Sequence, residues 1–451
     1  MPILDVLQQV TFGQRVAEEE GELLATYFVE TDQWHRLFSD TADIVYGPKG
    51  AGKSALYSLL VARQNDLFDR NVILAPGENP RGATVFQALV TDPPASEREF
   101  IFLWKLYLAC LIAATLQKYD IKSEDVNELC GCLEKSGLRP KEKNLSTILR
   151  SAFDYVKRIL RPTAVEGGVQ IDPLTGIPIG ITGKITFAEP STEAAQQGIT
   201  SVDHLLKLGN NAFATAGYGL WILLDRLDVA FSDSPELEQN ALRALFHVYL
   251  DILSLNNLRL KIFLRTDIWR RITTSGFREA SHITRYLTIE WNSASLLNLV
   301  IRRAAQNESI LSYFDTTKDG ILTSTDTQKE FFYRLFPDQV EAGSRKPNTL
   351  DWMLGHTCDA TKQTAPRELI HLLNAVRDMQ VKNLEVGNSE PEGDDFFRGP
   401  FSRKRCQMSL VRGSNRPYMR SIHTPRNTSR DCEARKLSIR QTPCRKSGKS
   451  Q

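Results

Sequence analysis

Eight residues constrain this chain more than anything else in it: Gly47-Pro48-Lys49-Gly50-Ala51-Gly52-Lys53-Ser54. They follow a short apolar run, Asp43-Ile44-Val45-Tyr46, and precede a helical pattern from Lys53 to about Gln64. A strand that turns through glycines into a helix wraps successive backbone N–H groups around one point, and the positive end of the helix dipole adds to them. A lysine at the seventh position reaches the outer phosphates of a bound polyphosphate, and a serine hydroxyl at the eighth ligates a divalent cation. The spacing G-x-x-x-x-G-K-S is complete, and the strand before and helix after supply the context this chemistry needs. A chance match in a glycine-rich turn is the poorer reading. Gly47, Pro48, Lys49, Gly50, Ala51, Gly52, Lys53 and Ser54 are therefore expected to cradle the phosphates of a nucleoside triphosphate, with Ser54 on Mg²⁺.

Such a loop needs a carboxylate opposite it to complete the cation shell. Leu220-Trp221-Ile222-Leu223-Leu224-Asp225 ends an apolar run on an acid, the pattern of a strand buried on both faces that delivers Asp225 to that position. Many ATPases carry a catalytic Glu in the next place; here it is Arg226. Asp228 is the nearest alternative to polarise an attacking water, the competing reading being a cap on the following turn. Leu260–Leu264 ends in Arg265-Thr266-Asp267, which places Arg265 either as a sensor of the γ-phosphate or as a surface arginine at a strand end. Ala365-Pro366-Arg367 opens a helix with Pro at its first position, so Arg367 opposes the helix dipole. Contact with a nucleotide phosphate would justify it, and so would a salt bridge to a neighbouring acid.

The organisation follows from these placements. Residues 1–40 read as a helical segment ending in an aromatic cluster, Tyr27, Phe28, Trp34 and Phe38, expected to be core against the nucleotide domain rather than a clamp on a base. Residues 41–292 read as an α/β domain, with strands at 71–75, 219–224, 258–264 and 286–291. Residues 78–205 read as an insertion, including short strands near 179–187. Ser234-Pro235-Glu236 opens a helix whose Leu237, Ala241, Leu245, Val248 and Ile252 share a face. Residues 293–390 read as helical, and 391–451 as a basic tail.

With the motifs in place, the chain resembles a family of large bacterial P-loop ATPases related to the STAND, KAP-type and initiator-like AAA+ proteins. The resemblance lies in YFVET at 27–31, GPKGAGKSA at 47–55, GKITFAEPS at 183–191, LLDRLDVAF at 223–231, LKIFLRTDIW at 260–269 and TAPRELIHLLN at 364–374. It implies a P-loop NTPase fold of the additional-strand type, the P-loop strand flanked by the Asp225 and Arg265 strands, with a helical or winged-helix lid. It implies ATP rather than GTP, there being nothing like the N-K-x-D guanine motif. It carries over Gly47–Ser54 as the phosphate loop and Asp225 as the Mg²⁺ carboxylate, and extends to Asp228, Arg265 and Arg367.

Composition narrows the function classes. Charged residues are 24% and the net charge is +2. Residues 397–451 hold 15 Lys/Arg against 2 acids, which leaves the remainder at about −11, not the footprint of a dedicated DNA-binding protein. The tail has no periodicity and is expected to be disordered, a nucleic-acid arm being the sharper alternative. Residues 1–14 lack the pattern of a signal peptide. The apolar stretch 100–116, interrupted by Lys105, falls short of the roughly 20 residues of a membrane span. Seven unevenly spaced cysteines suit a reducing cytoplasm. Asp315–Asp326 mimics an EF-hand loop, but with Thr at its third position and Asp at its twelfth calcium is not expected. The expected function is an ATP-hydrolysing switch acting with like subunits or another protein. The alternatives are a DNA-associated initiator-like ATPase, with Arg302, Arg303 and Lys362 available, and a scaffold that holds ATP without turnover.

Overall fold

Apolar runs of strand length that are buried on both faces pair most readily in a parallel sheet with helices on either side. The computed structural model describes residues 2–138, 144–160, 185–227, 234–359, 362–391 and 396–397, apart from 15, 22, 80–83, 90–92, 95 and 342. Among these residues the strands are β1 (Ile44–Gly47), β2 (Val72–Pro76), β3 (Ile185–Thr186), β4 (Thr200–Ser201), β5 (Gly219–Leu224), β6 (Leu258–Arg265) and β7 (Tyr286–Thr288). Five form a parallel sheet in the order β2-β5-β6-β1-β7, while β3 and β4 pair only with each other. The part of the expected 179–187 strands before Ile185 lies outside the described residues.

The order corrects one expectation. β1 pairs with β6 and β7, and β5 stands one strand further away. Which strands become neighbours is decided by how their crossover helices pack, and local hydrophobicity does not carry that. The register sets Gly47 beside Arg265 and Leu224 beside Ile262, so the Gly47–Ser54 loop, Asp225 and Arg265 emerge at the same edge of the sheet.

Alternation along the strands builds two cores. Ile44, Tyr46, Ile222, Leu224, Ile262 and Leu264 face one cluster; Val45, Trp221, Leu223 and Phe263 face the other. The first is filled by the helix Glu97–Lys118, which packs on helices Pro235–Ile252, Val202–Ala216 and Leu145–Leu160. At 22 residues this helix is long and apolar enough to cross a membrane by length and composition, longer than the sequence suggested, yet 89% of its apolar window is buried inside the protein. Its Trp104 indole donates to Ala241 O, and buried Lys105 pairs with Asp203 and Asp251, both at 2.7 Å. The 78–205 region thus supplies the principal core rather than an appendage.

The N-terminal segment divides between two bodies. Ile3, Val6, Leu7 and Phe12 pack among the C-terminal helices, while Trp34 and Leu37 pack beneath the sheet. Of the two halves, the second packs on the sheet. The C-terminal body is helical, from Ser293–Ala304 through Thr325–Leu335 to Pro366–Glu385. Among its described residues the one β feature is an isolated bridge between Cys358 and Thr364, and no wing is formed. Part of the EF-hand-like stretch, Lys318–Leu322, is a short helix capped by Thr317. Phe396 and Phe397 are fully buried here, Phe397 stacked on Phe336, so this body reaches beyond residue 391. Residues 398–451, and the expectations attached to them, lie outside the described residues.

Candidate functional site

The loop after β1 turns through Gly50 at φ +81° and Gly52 at φ +104°, backbone that only glycine adopts freely. Lys53 begins the helix Lys53–Ala62 and its ammonium donates back across the loop to Gly47 O and Pro48 O, each at 3.0 Å. One residue on, the Ser54 hydroxyl donates to Asp225 Oδ2 at 2.8 Å. Two residue types expected to share a cation, 171 positions apart, are thus in contact.

The rest of this edge is braced from below. Tyr57 donates to Glu78 O at 2.7 Å and Tyr107 to Gly77 O at 2.8 Å, fixing the chain beyond β2. The Glu78 carboxylate is buried and accepts from Thr84 Oγ1 and the Asn79 and Val85 amides. Burial pushes its pKa up against those hydrogen bonds. Glu78 was not singled out from the sequence, where it follows Pro76-Gly77 and reads as an ordinary turn acid.

The arginines divide. Arg265 lines the cavity beside the loop but is held bidentately by Asp267, at 3.0 and 2.6 Å. Arg367 also lines the cavity, and its amide lies 3.5 Å from Gly50 O, so the C-terminal body meets the loop directly. Trp291 adds a second tie by donating from Nε1 to Ala51 O at 2.8 Å. Asp228 lies outside the described residues. A Cβ at Gly50 would come within 3.1 Å of Arg367 Cβ, in a backbone conformation hostile to side chains. Gly50→Ala is therefore expected to cost about 1–2 kcal/mol. Denaturant unfolding measures it, and a cost near zero would mean that the loop reshapes without resistance.

A cavity of about 270 Å³ opens from the loop towards the N-terminal segment and the C-terminal helices. The apolar part of its lining comes from Leu24, Tyr27, Phe28, Ile289, Leu299 and Ile370, with Ile289 beside Gly47 of the loop. Tyr27 and Phe28 thus face the cavity, while Trp34 is core, stacked on Phe38. The expected packing of this cluster is present, with Phe28 edge-on to Trp34 and Tyr27 only 6% exposed, and Tyr27 and Phe28 line the cavity in addition. A buried pair also lines it: Arg303 donates to both oxygens of Glu20, at 2.7 and 3.1 Å, with its guanidinium 4.3 Å from the centre of the Tyr27 ring. Arg303, considered from sequence as available to DNA, is only 6% exposed and committed to this pair. Neither it nor Glu20 carries a local signal, since they meet across 283 residues.

Among the described residues lining the cavity, Lys49, Lys53, Arg226, Arg265, Arg303 and Arg367 are cationic against the carboxylates Glu20, Asp225 and Glu290. The balance favours an anionic ligand. The helix N-termini at Lys53 and Pro366 also open onto it, and their dipoles act in the same sense. The chain matches no protein-family model, no curated protein and no solved structure.

Proposed function

We propose that this cavity binds ATP with Mg²⁺ and that the protein is a P-loop ATPase working as a nucleotide-dependent switch. The observation that carries the reading is the Ser54–Asp225 contact at the end of a glycine-turned loop spanned by Lys53. The sheet supports it: five parallel strands in an α/β fold bring the loop after β1 and Asp225 after β5 out at the same side, with β6 between them. The apolar residues in the cavity lining support a base bound beside the phosphates, and the absence of an N-K-x-D sequence favours adenine over guanine.

The residues present fit the cation. Ser54 and Asp225 offer oxygen donors 2.8 Å apart, and a hard cation completes its shell from phosphate and water. When bound through those two residues, Mg²⁺ supplies charge neutralisation on the outer phosphates. The protein's own part is to cradle the phosphates with the loop amides, to hold their charge with Lys53, and to read the γ-phosphate with Arg265 and Arg367. Asp228 is the residue assigned to position the attacking water.

The switch follows from what surrounds the cavity. The N-terminal segment is anchored at one end among the C-terminal helices and at the other under the sheet. Its middle lines the site together with Arg367. Loss of the γ-phosphate removes contacts that favour the closed arrangement and shifts the population towards an open one. The readout we assign to this is a changed interface with a like subunit or another protein in the cytoplasm.

Phosphate release by the purified protein with Mg-ATP, beside Asp225→Asn and Asp228→Asn, tests the reading. Turnover in the parent that falls about 100-fold or more in both variants is expected. ATP binding without phosphate release would replace the switch by a nucleotide-holding scaffold. Turnover that rises with DNA and falls steeply with salt would favour an initiator-like ATPase instead.

A further inference from the structure

We propose a second binding site, at the opposite edge of the sheet from the loop, for a small oxyanion carried on a compact apolar body. The five strands of the sheet run parallel, and the Gly47–Ser54 loop and Asp225 leave it at the C-terminal ends of β1 and β5. A separate cavity of about 170 Å³ opens at the N-terminal ends, where Val72 begins β2, Gly219 begins β5 and Arg259 is the second residue of β6. It shares no lining residue with the first cavity. A water needs on the order of 10–15 Å³ of such space, so there is room for about ten waters or an organic molecule of that size.

The polar lining is rich in donors. Trp221 is only 4% exposed, yet its indole N–H meets no acceptor among the described residues, and the cavity is the open space beside it. Buried N–H groups in folded proteins find a partner in the protein, in water or in a ligand, so this one calls for an acceptor. Arg259 spends Nη1 on Leu255 O and Leu258 O, at 3.0 and 2.9 Å. Its Nε lies 3.4 Å from Asp40 Oδ2, buried and without a hydrogen bond. Arg70 is exposed; it donates from Nη1 to Phe38 O at 3.1 Å, and its guanidinium lies 5.0 Å from the centre of the Phe38 ring. These contacts position both guanidinium groups without balancing their charge. Asp40 is paired with Lys261 and Arg285 as well as with Arg259, and Asp43 is the other partner of Lys261 and Arg285. In this group, Arg70, Arg259, Lys261 and Arg285 face only the carboxylates of Asp40 and Asp43, and the Lys261 ammonium lies 4.2 Å from the centre of the Trp221 ring. Phe38, Leu67 and Val72 supply apolar wall. Unmet donors and surplus positive charge among apolar side chains suit a carboxylate or a phosphate attached to a compact apolar group. An uncharged ligand would leave the charge unanswered.

The test uses the full chain and three probes followed by calorimetry: benzoate, phenyl phosphate and, as the uncharged control, benzamide. At least one of the two anions is expected to bind in the millimolar range or tighter, and benzamide about tenfold or more weakly than that anion. Benzoate alone makes this a carboxylate site, and phenyl phosphate alone a phosphate site. Arg70→Gln removes a charge from an exposed position and leaves the buried pairs in place; it is expected to weaken the anion about tenfold. Trp221→Phe keeps an aromatic ring and loses the indole donor, and is expected to weaken it about threefold or more. Lys53→Ala separates this cavity from the first and is expected to leave the affinity unchanged. Binding that is lost in Lys53→Ala but survives Arg70→Gln belongs to the glycine loop and overturns the proposal, without bearing on the ATP reading. Failure of both anions to bind, or benzamide binding as tightly as either, also overturns it and leaves a water-filled notch.

Discussion

Lys53→Ala is expected to weaken Mg-ATP binding about 100-fold or more and to reduce phosphate release to background. The Lys53 ammonium lies over the loop, 3.0 Å from the carbonyls of Gly47 and Pro48, at the N-terminus of the Lys53–Ala62 helix. A phosphate in the loop exchanges those neutral acceptors for charged ones. Charge-assisted hydrogen bonds are each worth about 1.5–3 kcal/mol against about 0.5–1.5 kcal/mol for neutral ones, so exchanging two gains about 2–3 kcal/mol, the size of a 100-fold change. The helix does not depend on this side chain, which is only half-buried, and the unfolding free energy is expected to move by less than about 1 kcal/mol. Equilibrium titration with a fluorescent ATP analogue, beside a denaturant melt, separates the two effects. Undiminished affinity in a well-folded variant would place the ligand somewhere other than this loop.

Lys261→Ala is expected to cost about 3–5 kcal/mol of stability, with the site untouched in design but the sheet weakened beneath it. Lys261 lies in β6, wholly buried, and donates to Asp43 Oδ1 at 2.8 Å, Asp40 Oδ1 at 2.6 Å and Ala42 O at 2.8 Å, its ammonium 4.2 Å from the centre of the Trp221 ring. Asp43, also wholly buried, immediately precedes β1 and takes further bonds from Arg285 and Tyr249. Removing the lysine leaves a buried carboxylate short of a partner and a hole beside an indole. The double change Lys261→Met with Asp43→Asn is expected to cost much less than Lys261→Ala, because it removes both charges and keeps most of the volume. Equal losses in the two would show that packing alone is being measured.

The same pair sets an acid limit. Burial alone pushes the Asp43 carboxyl up, but the Lys261 charge and the hydrogen bonds from Arg285 and Lys261 outweigh it and hold the group below its ordinary 3.8. A depressed folded-state pKa favours the ionised form in the folded protein. Its stabilisation is complete above about 3.8 and disappears as the pH falls from there through the folded-state value. Unfolding free energies measured from pH 7 down through this window are expected to fall more steeply in the parent than in Lys261→Ala, which has already lost the largest influence lowering that pKa.

Much of the loop end of the candidate site is legible along the chain because its determinants are local. Glycines at 50 and 52 are the residues that can turn the loop, and the next two residues necessarily open the helix. An unbroken apolar run at 219–224 can only be a strand buried on both faces, so the acid ending it must surface at the sheet's edge. The helix beginning Pro366-Arg367 is likewise announced by its proline, and its first turn lies against Gly50.

What the tertiary structure decided is everything that depends on which elements become neighbours. No periodicity distinguishes β6 from β5 as the partner of β1, or marks Lys261 as a wholly buried lysine rather than a strand residue facing water. Tyr27 and Trp34 stand in one aromatic cluster, yet one faces the cavity and the other the core, because the chain between them passes from one packed body to another. Glu20 and Arg303, like Arg226 and Asn79, meet only when segments far apart in sequence close around the same space. The physical reason is common to all of these: backbone preference and hydrophobic alternation act over a few residues. The pairing of charges arises from long-range packing that fixes the surroundings first and leaves the side chains to conform.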